Sequence, residues 1–129
     1  MTTTDIGRLG EAIAVKYLKK NRYKILAKNK HQSHNEIDII ATDRQHIVFV
    51  EVKARTVSDD LQLQYSSPAS AVTKGKQIRT IQAAKEYLYA NQKSKHTKKQ
   101  PRMDVIEVFL SKDTLKPLRI NHIIDAFGI

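Results

Sequence analysis

The residues best suited to chemistry are two acids and a lysine on consecutive apolar segments. Asp38 lies in Asn35-Glu36-Ile37-Asp38-Ile39-Ile40, and Glu51 and Lys53 lie in Phe49-Val50-Glu51-Val52-Lys53. Side chains alternate across a strand, so Glu51 and Lys53 share one face while Val50 and Val52 point to the other. Glu36 and Asp38 likewise share a face, with Ile37 and Ile39 opposite. If the two segments pair as a hairpin, Asp38 and Glu51 can converge at one end of a sheet. Two carboxylates brought together repel unless a cation sits between them. Such oxygen ligands suit a hard cation, Mg²⁺ or Mn²⁺, with water completing the shell. A neighbouring lysine can offset charge, orient a water, or stabilise charge developing on a phosphate. A plainer reading stands beside this one. Asp followed later by Glu-x-Lys is a loose pattern, and Glu51 and Lys53 could form a solvated edge pair.

The elements that must position these residues follow from periodicity. Ile6, Leu9, Ile13, Ala14 and Tyr17 recur at helical spacing over residues 5–20, with Thr4 or Asp5 as cap and Asn21 as stop. Tyr23 to Ala27 reads as a short strand and Lys28 to His34 as a polar connection. Glu36 to Ala41 and Ile47 to Ala54 are strands joined by a hairpin turn. A polar stretch runs from Arg55 to about Thr73. A second helix runs from Thr73 or Lys74 to Ala90, with Ile78, Ile81, Ala84 and Leu88 as its buried stripe. Asn91 to Gln100 is a basic loop, and Met103 to Leu110 and Leu118 to Ile124 are two further strands. The order αβββαββ predicts an α/β domain. Its mixed five-stranded sheet would be flanked by helices, and the crossover would make the third and fourth strands parallel.

The chain has 129 residues, a single-domain length, so residues 1–129 are expected to form one domain. It has no cysteine, which excludes disulfides, Cys-ligated zinc and thiol catalysis. No apolar run is long enough for a membrane-spanning helix, and the N-terminus carries no signal-peptide pattern. No membrane partner and a cytoplasmic location are therefore the expectation. Lys plus Arg total 23 against 13 Asp plus Glu, a net +10 that points to a polyanionic partner, most commonly nucleic acid.

The constellation resembles the PD-(D/E)xK nuclease superfamily, with its restriction-endonuclease-like fold. It is closer still to the YraN family of small bacterial predicted nucleases, related to archaeal Holliday junction resolvases. The matching segments are Gly7-Arg8-Leu9-Gly10-Glu11-Ala12, Tyr17-Leu18, Glu36-Ile37-Asp38-Ile39-Ile40-Ala41, Val48-Phe49-Val50-Glu51-Val52-Lys53-Ala54-Arg55, the helix from Lys76 to Leu88, and Arg102-Met103-Asp104-Val105. The resemblance implies that Asp38 and Glu51 are metal-binding acids, with the Val52 carbonyl as a further ligand. It implies Lys53 as the catalytic lysine and Glu11 as an additional acid at the metal. The proline of the superfamily name is replaced by Ile37, as is usual in the YraN family, and Asn35 stands where that family usually has Gly. On residues alone Glu11 reads as an ordinary solvent-facing acid. Its neighbour Gly10, costly by up to ~1 kcal/mol inside a helix, suggests a close approach to the sheet.

Lys74, Lys76 and Arg79 could hold a phosphate at the start of the second helix, or form a solvated face. Lys93, Lys95, Lys98 and Lys99, with His96, read as a flexible phosphate-contacting arm or a disordered loop. Arg102 and Asp104 read equally as an ion pair or a site. His31 and His34, lacking a clear third ligand, argue against zinc. The expectation is an Mg²⁺- or Mn²⁺-dependent endonuclease acting on DNA, with branched or junction DNA suggested by the resolvase kinship. A non-catalytic nucleic-acid-binding protein of the same fold is the alternative, and an interaction scaffold a more distant one. Symmetric cutting of two strands would require a homodimer.

Overall fold

The computed structural model describes residues 2–32, 35–58 and 72–128. Helix α1 (Thr3–Lys20) is followed by strands β1 (Lys24–Gln32), β2 (Asn35–Thr42) and β3 (His46–Val57). Helix α2 (Lys74–Ala90), a short 3₁₀ turn (Lys95–Lys98), β4 (Gln100–Ser111) and β5 (Pro117–Phe127) complete the order αβββαββ. The five strands lie in sequence order, β1-β2-β3-β4-β5. Among the described residues only the β3–β4 pair is parallel, running from His46 beside Gln100 to Val57 beside Ser111, because α2 carries the chain back across the sheet. This mixed sheet with its two helices is consistent with a restriction-endonuclease-like fold.

Each helix covers one face. Beneath α1, Ala14 and Leu18 pack on Ile39, Ala41, Val48, Val50, Ile106 and Val108. Beneath α2, Ala83 and Ala84 pack on Ile37, Ile40, Ile47, Phe49 and Met103. Both faces being buried, β2, β3 and β4 read as near-continuous apolar runs rather than alternating ones.

Several boundaries differ from the sequence reading. The cap of α1 is Thr2, not Thr4 or Asp5: its Oγ1 accepts the Asp5 N–H at 3.1 Å while the Asp5 carboxylate accepts the Thr2 N–H at 3.1 Å. This reciprocal box satisfies two donors that a helix start leaves unpaired. Strand β1 continues through Lys28, Asn29 and Lys30 to Gln32, because pairing with β2 outweighs the polar composition. Strand β3 extends to Val57 along the ladder with β4. The stripe of α2 is centred on Thr80, Ala83 and Ala84, with Ile81 and Leu88 beside it, whereas Ile78 is 61% exposed. Small residues face the sheet here, so the largest apolar residue of the first turns misleads.

Gly10 sits where α1 crosses β3. A Cβ at this position would fall onto Ala54 Cβ, well inside van der Waals contact, and 3.7 Å from Ala54 Cα. The expected close approach is present, and it fixes how near α1 lies to the sheet. Gly7, one turn earlier, has no heavy atom within 4 Å of such a Cβ. Gly10→Ala should therefore lose about 1–3 kcal/mol of stability through overpacking. Gly7→Ala should gain about 0.5–1 kcal/mol from helix propensity alone. Urea denaturation of the two variants checks this, with opposite shifts of midpoint expected; equal shifts would show that Ala54 does not limit the approach.

Candidate functional site

Strands β2 and β3 pair from Thr42 beside Ile47 up to Ile39 beside Val50, and there the ladder stops. Beyond that point β2 stays with β1, where Lys30 faces Ile37 and Gln32 faces Asn35, while β3 stays with β4, where Glu51 faces Val105. The sheet forks. A fork leaves backbone donors without a neighbouring strand, and buried donors need partners. Asp38 supplies one: its Oδ2 accepts the Val52 N–H at 2.8 Å. The expected alternation also breaks here. Ile37 packs under α2 with Ile40, whereas Ile39 packs under α1 with Ala41. The strand turns about its axis between them, and that turn aims Asp38 into the gap.

Period two holds on β3. Glu51 follows Ile47 and Phe49 on the α2 side, while Val48, Val50, Val52 and Ala54 face α1. Glu51 is only 7% exposed. Lys53 Nζ lies 3.7 Å from its Oε2, and Lys76 Nζ, from the first turns of α2, lies 3.8 Å from its Oε1. Burial, and then the nearby Asp38 charge, push the Glu51 carboxyl from its ordinary 4.5 up to about 7, against the pull of the two lysines. Burial also raises Asp38, offset in part by the Val52 N–H.

Glu11 closes the third side from α1. It is raised by burial and by the charges of Asp38 and Glu36, and a hydrogen bond from the Asn29 side chain opposes the shift. Asn29 has φ 50° and interrupts β1 with a left-handed residue, which Asn adopts more readily than most. Sequence reasoning missed Asn29; the signal was an Asn in a run otherwise made of Lys and His. The sequence offers Lys76 only as one of three cations at a helix start, but it alone of them meets Glu51. Lys74 and Arg79 are exposed.

The arm from Lys93 to Lys99 contains a capped 3₁₀ turn and does not lie beside this group. Ser94 caps the 3₁₀ turn, and Lys99 Nζ donates to Thr42 Oγ1 at 2.9 Å and to the Asp43 carbonyl at 2.8 Å. This turn feeds Gln100, which pairs with His46. Glu51 lies five residues further along β3, roughly 16 Å away. Lys93, Lys95 and Lys98 are exposed at that distant end. Arg102 and Asp104 form a buried pair. The fully buried Asp104 accepts from Arg102 Nε at 2.9 Å, from Arg102 Nη2 at 2.8 Å and from the Asp125 N–H at 3.0 Å, and lies 2.7 Å from His122 Nε2. His122 Nδ1 in turn meets Tyr17 Oη at 3.0 Å, which ties β5 to α1. Burial pushes Asp104 up, but His122, Arg102 and the Asp125 N–H outweigh it and hold it below the ordinary carboxylate range. His31 Nε2 lies 3.1 Å from Glu36 Oε2; His34 falls outside the described residues.

Among the described residues no three His, Asp or Glu side chains gather into a full metal cage. The donor set at the fork still fits a hard cation that keeps most of its water. Burial disfavours the ionised forms of Asp38 and Glu51, and the Asp38 charge adds to this at Glu51, so that Glu51 takes up a proton near neutral pH where a cation would otherwise offset the charge.

The family model described as "Uncharacterised protein family UPF0102" matches residues 10–108, a span that contains Glu11, Asp38, Glu51, Lys53 and Lys76. A UPF0102 protein of Caldanaerobacter subterraneus subsp. tengcongensis is 40% identical over 122 residues, covering 95% of this chain and 93% of its own. One from Chlorobium chlorochromatii is 40% identical over 132 residues, covering 99% and 95%. One from Clostridium botulinum is 46% identical over 107 residues, covering 83% and 81%.

Because the Glu51 carboxyl is raised in the folded chain, folding takes up a proton between pH 4.5 and about 7. The group therefore favours the folded state on the acid side, and this advantage is lost as pH rises through about 7. In EDTA the parent should lose on the order of 3 kcal/mol more stability between pH 5 and pH 8 than Glu51→Gln does. Urea titrations at the two pH values measure the difference, and identical pH dependence in both proteins would place Glu51 at an ordinary pKa.

Proposed function

We propose that the chain, which belongs to the uncharacterised protein family UPF0102, is a metal-dependent nuclease of the PD-(D/E)xK kind that hydrolyses phosphodiester bonds in DNA. The observation that carries this reading is the fork between β2 and β3, which gathers Asp38, Glu51, Lys53 and Lys76 at one end of the sheet. Acids that repel one another are retained here beside two lysines, in a chain of net charge +10. That combination suits a phosphate approached by a divalent cation better than it suits a structural ion pair.

Asp38, Glu51 and the Val52 carbonyl would hold Mg²⁺ or Mn²⁺, with Glu11 in support. The ion, when bound, supplies positive charge that activates water and offsets the leaving oxygen. The chain's own residues do the rest. Val52 N–H fixes Asp38 in one orientation. The Lys53 ammonium, half-exposed and held near Glu51, can donate to a non-bridging phosphate oxygen as negative charge grows there. Lys76 approaches the same carboxylate from the opposite helix and places a second cation beside the phosphate. Lys74 and Arg79, exposed on the same helix start, would meet neighbouring phosphates.

No helix among the described residues is long and apolar enough to cross a membrane. DNA binding should be electrostatic. With about five phosphates contacted, the log–log salt slope on duplex DNA should be roughly −4 to −5. Absence of binding at low salt would remove the nucleic-acid reading.

Asp38→Asn should lower Mg²⁺-dependent cleavage by orders of magnitude and weaken Mn²⁺ binding in calorimetry. Lys53→Ala should abolish cleavage while leaving Mn²⁺ affinity nearly intact. Binding of DNA without cleavage by the parent, in either metal, would favour the non-catalytic binding protein. An Asp38→Asn variant that binds Mn²⁺ and cuts like the parent would make the acids structural.

A further inference from the structure

A cleft of about 340 Å³ opens on the α1 side of Asp38, between α1 and the β1–β2 hairpin. Its apolar lining comes from Ala12 and Val15 on α1, over the buried Ile39, and two exposed cations, Arg8 and Lys28, also line it. Glu11, Asp38 and Asn29 line it as well. The cleft continues along the start of α1 into a second hollow that shares Arg8, Glu11 and Asn29 and reaches Thr4 and Gly7.

We infer that this cleft takes a single unstacked nucleotide adjacent to the phosphate at the fork, so that the protein favours DNA with an unpaired nucleotide over an intact duplex. The inference rests on the nuclease reading and adds to it the form of the substrate. Size is the first argument. A cleft near 340 Å³ lies at the low end of the ~300–1,000 Å³ that hold one small molecule, whereas an intact duplex keeps its bases stacked and offers no single nucleotide to it. Chemistry is the second. An apolar lining accepts the face of a base, and the two cations accept the phosphates on either side of it. Position is the third, because Asp38 itself lines the cleft. Swinging a nucleotide out of a stack costs a few kcal/mol, least where it is already unpaired, and that difference becomes selectivity.

The test compares a short duplex with the same duplex carrying one unpaired 2-aminopurine nucleotide. Ca²⁺ replaces Mg²⁺ so that binding is read without cleavage. The parent should bind the second DNA about tenfold more tightly, a difference near 1.4 kcal/mol. The fluorescence of the unpaired base should change on binding. Ala12→Leu, at an exposed helical position, fills the cleft; it should remove both the preference and the fluorescence change while duplex affinity holds. Ala12→Ser, which leaves the cleft open, should keep both. Equal affinity of the parent for the two DNAs, or a preference that survives Ala12→Leu, overturns the nucleotide cleft and leaves the nuclease reading standing. Failure of the parent to bind either DNA overturns both.

Discussion

The hydrogen bond from the Val52 N–H to Asp38 is the constraint around which this end of the molecule is built. It exists because β2 and β3 separate after Ile39 and Val50. A sheet that forks inside a protein leaves donors facing no strand, and each buried donor without a partner costs about 1–3 kcal/mol. A carboxylate in the fork answers that need, and the same carboxylate is then held rigidly beside Glu51. One interaction thus closes the ladder and orients the acid. Burial of Glu51, and after it the charge of the Asp38 held beside it, lifts Glu51 to about 7.

Two other contacts hold the helices to this frame. Gly10 lets α1 settle on Ala54, which brings Glu11, the next residue, to the fork. At the other side of α1, Tyr17 reaches His122, and His122 reaches the buried Asp104 held by Arg102. Asp104 also accepts the N–H of Asp125, a residue at φ 56° where β5 shifts register against β4. The second charged cluster therefore braces the edge of the sheet, and no acid of the fork takes part in it. The two clusters look alike in sequence, each being acids and cations in apolar strands. They differ in direction of shift: at Asp104 burial is outweighed by hydrogen bonds and Arg102, which hold it below the ordinary carboxylate range, whereas burial and the charges of neighbouring acids raise Glu11, Asp38 and Glu51 at the fork.

The element order, the parallel β3–β4 pair and the shared face of Glu51 and Lys53 were legible in the sequence. They depend on periodicity and on local connection rules, which a single chain displays. Features created by tertiary contact were not legible. Strand β1 runs through a lysine-rich segment because an edge strand can keep its cations in water while its backbone pairs inward. Ile78 looks like the start of a buried stripe, yet the sheet beneath α2 accepts Thr80, Ala83 and Ala84 at close range and leaves Ile78 outside. Lys76 and Asn29 join the fork only because α2 and the β1–β2 hairpin end there, and no spacing along the chain encodes that meeting. The run from Lys93 to Lys99 has the composition of a mobile tail, but Lys99 finds two oxygen acceptors at the β2–β3 turn.

The parallel ladder also has a meaning for how the chain assembles. Each of its pairs joins residues as far apart as His46 and Gln100 or Val57 and Ser111, whereas Ile39 and Val50 meet across a hairpin. Loop-closure entropy grows as the logarithm of that separation, which makes the parallel contact about 1.4 kcal/mol harder to close than the hairpin one. Local pairing thus assembles Asp38 and Glu51 with little entropic resistance, while β3 keeps one edge open until the crossover brings β4 alongside. An open edge of Val and Phe is a template for a neighbouring chain. Glu51, Lys53 and Arg55, spaced along that strand, are charges of the kind that discourage such pairing.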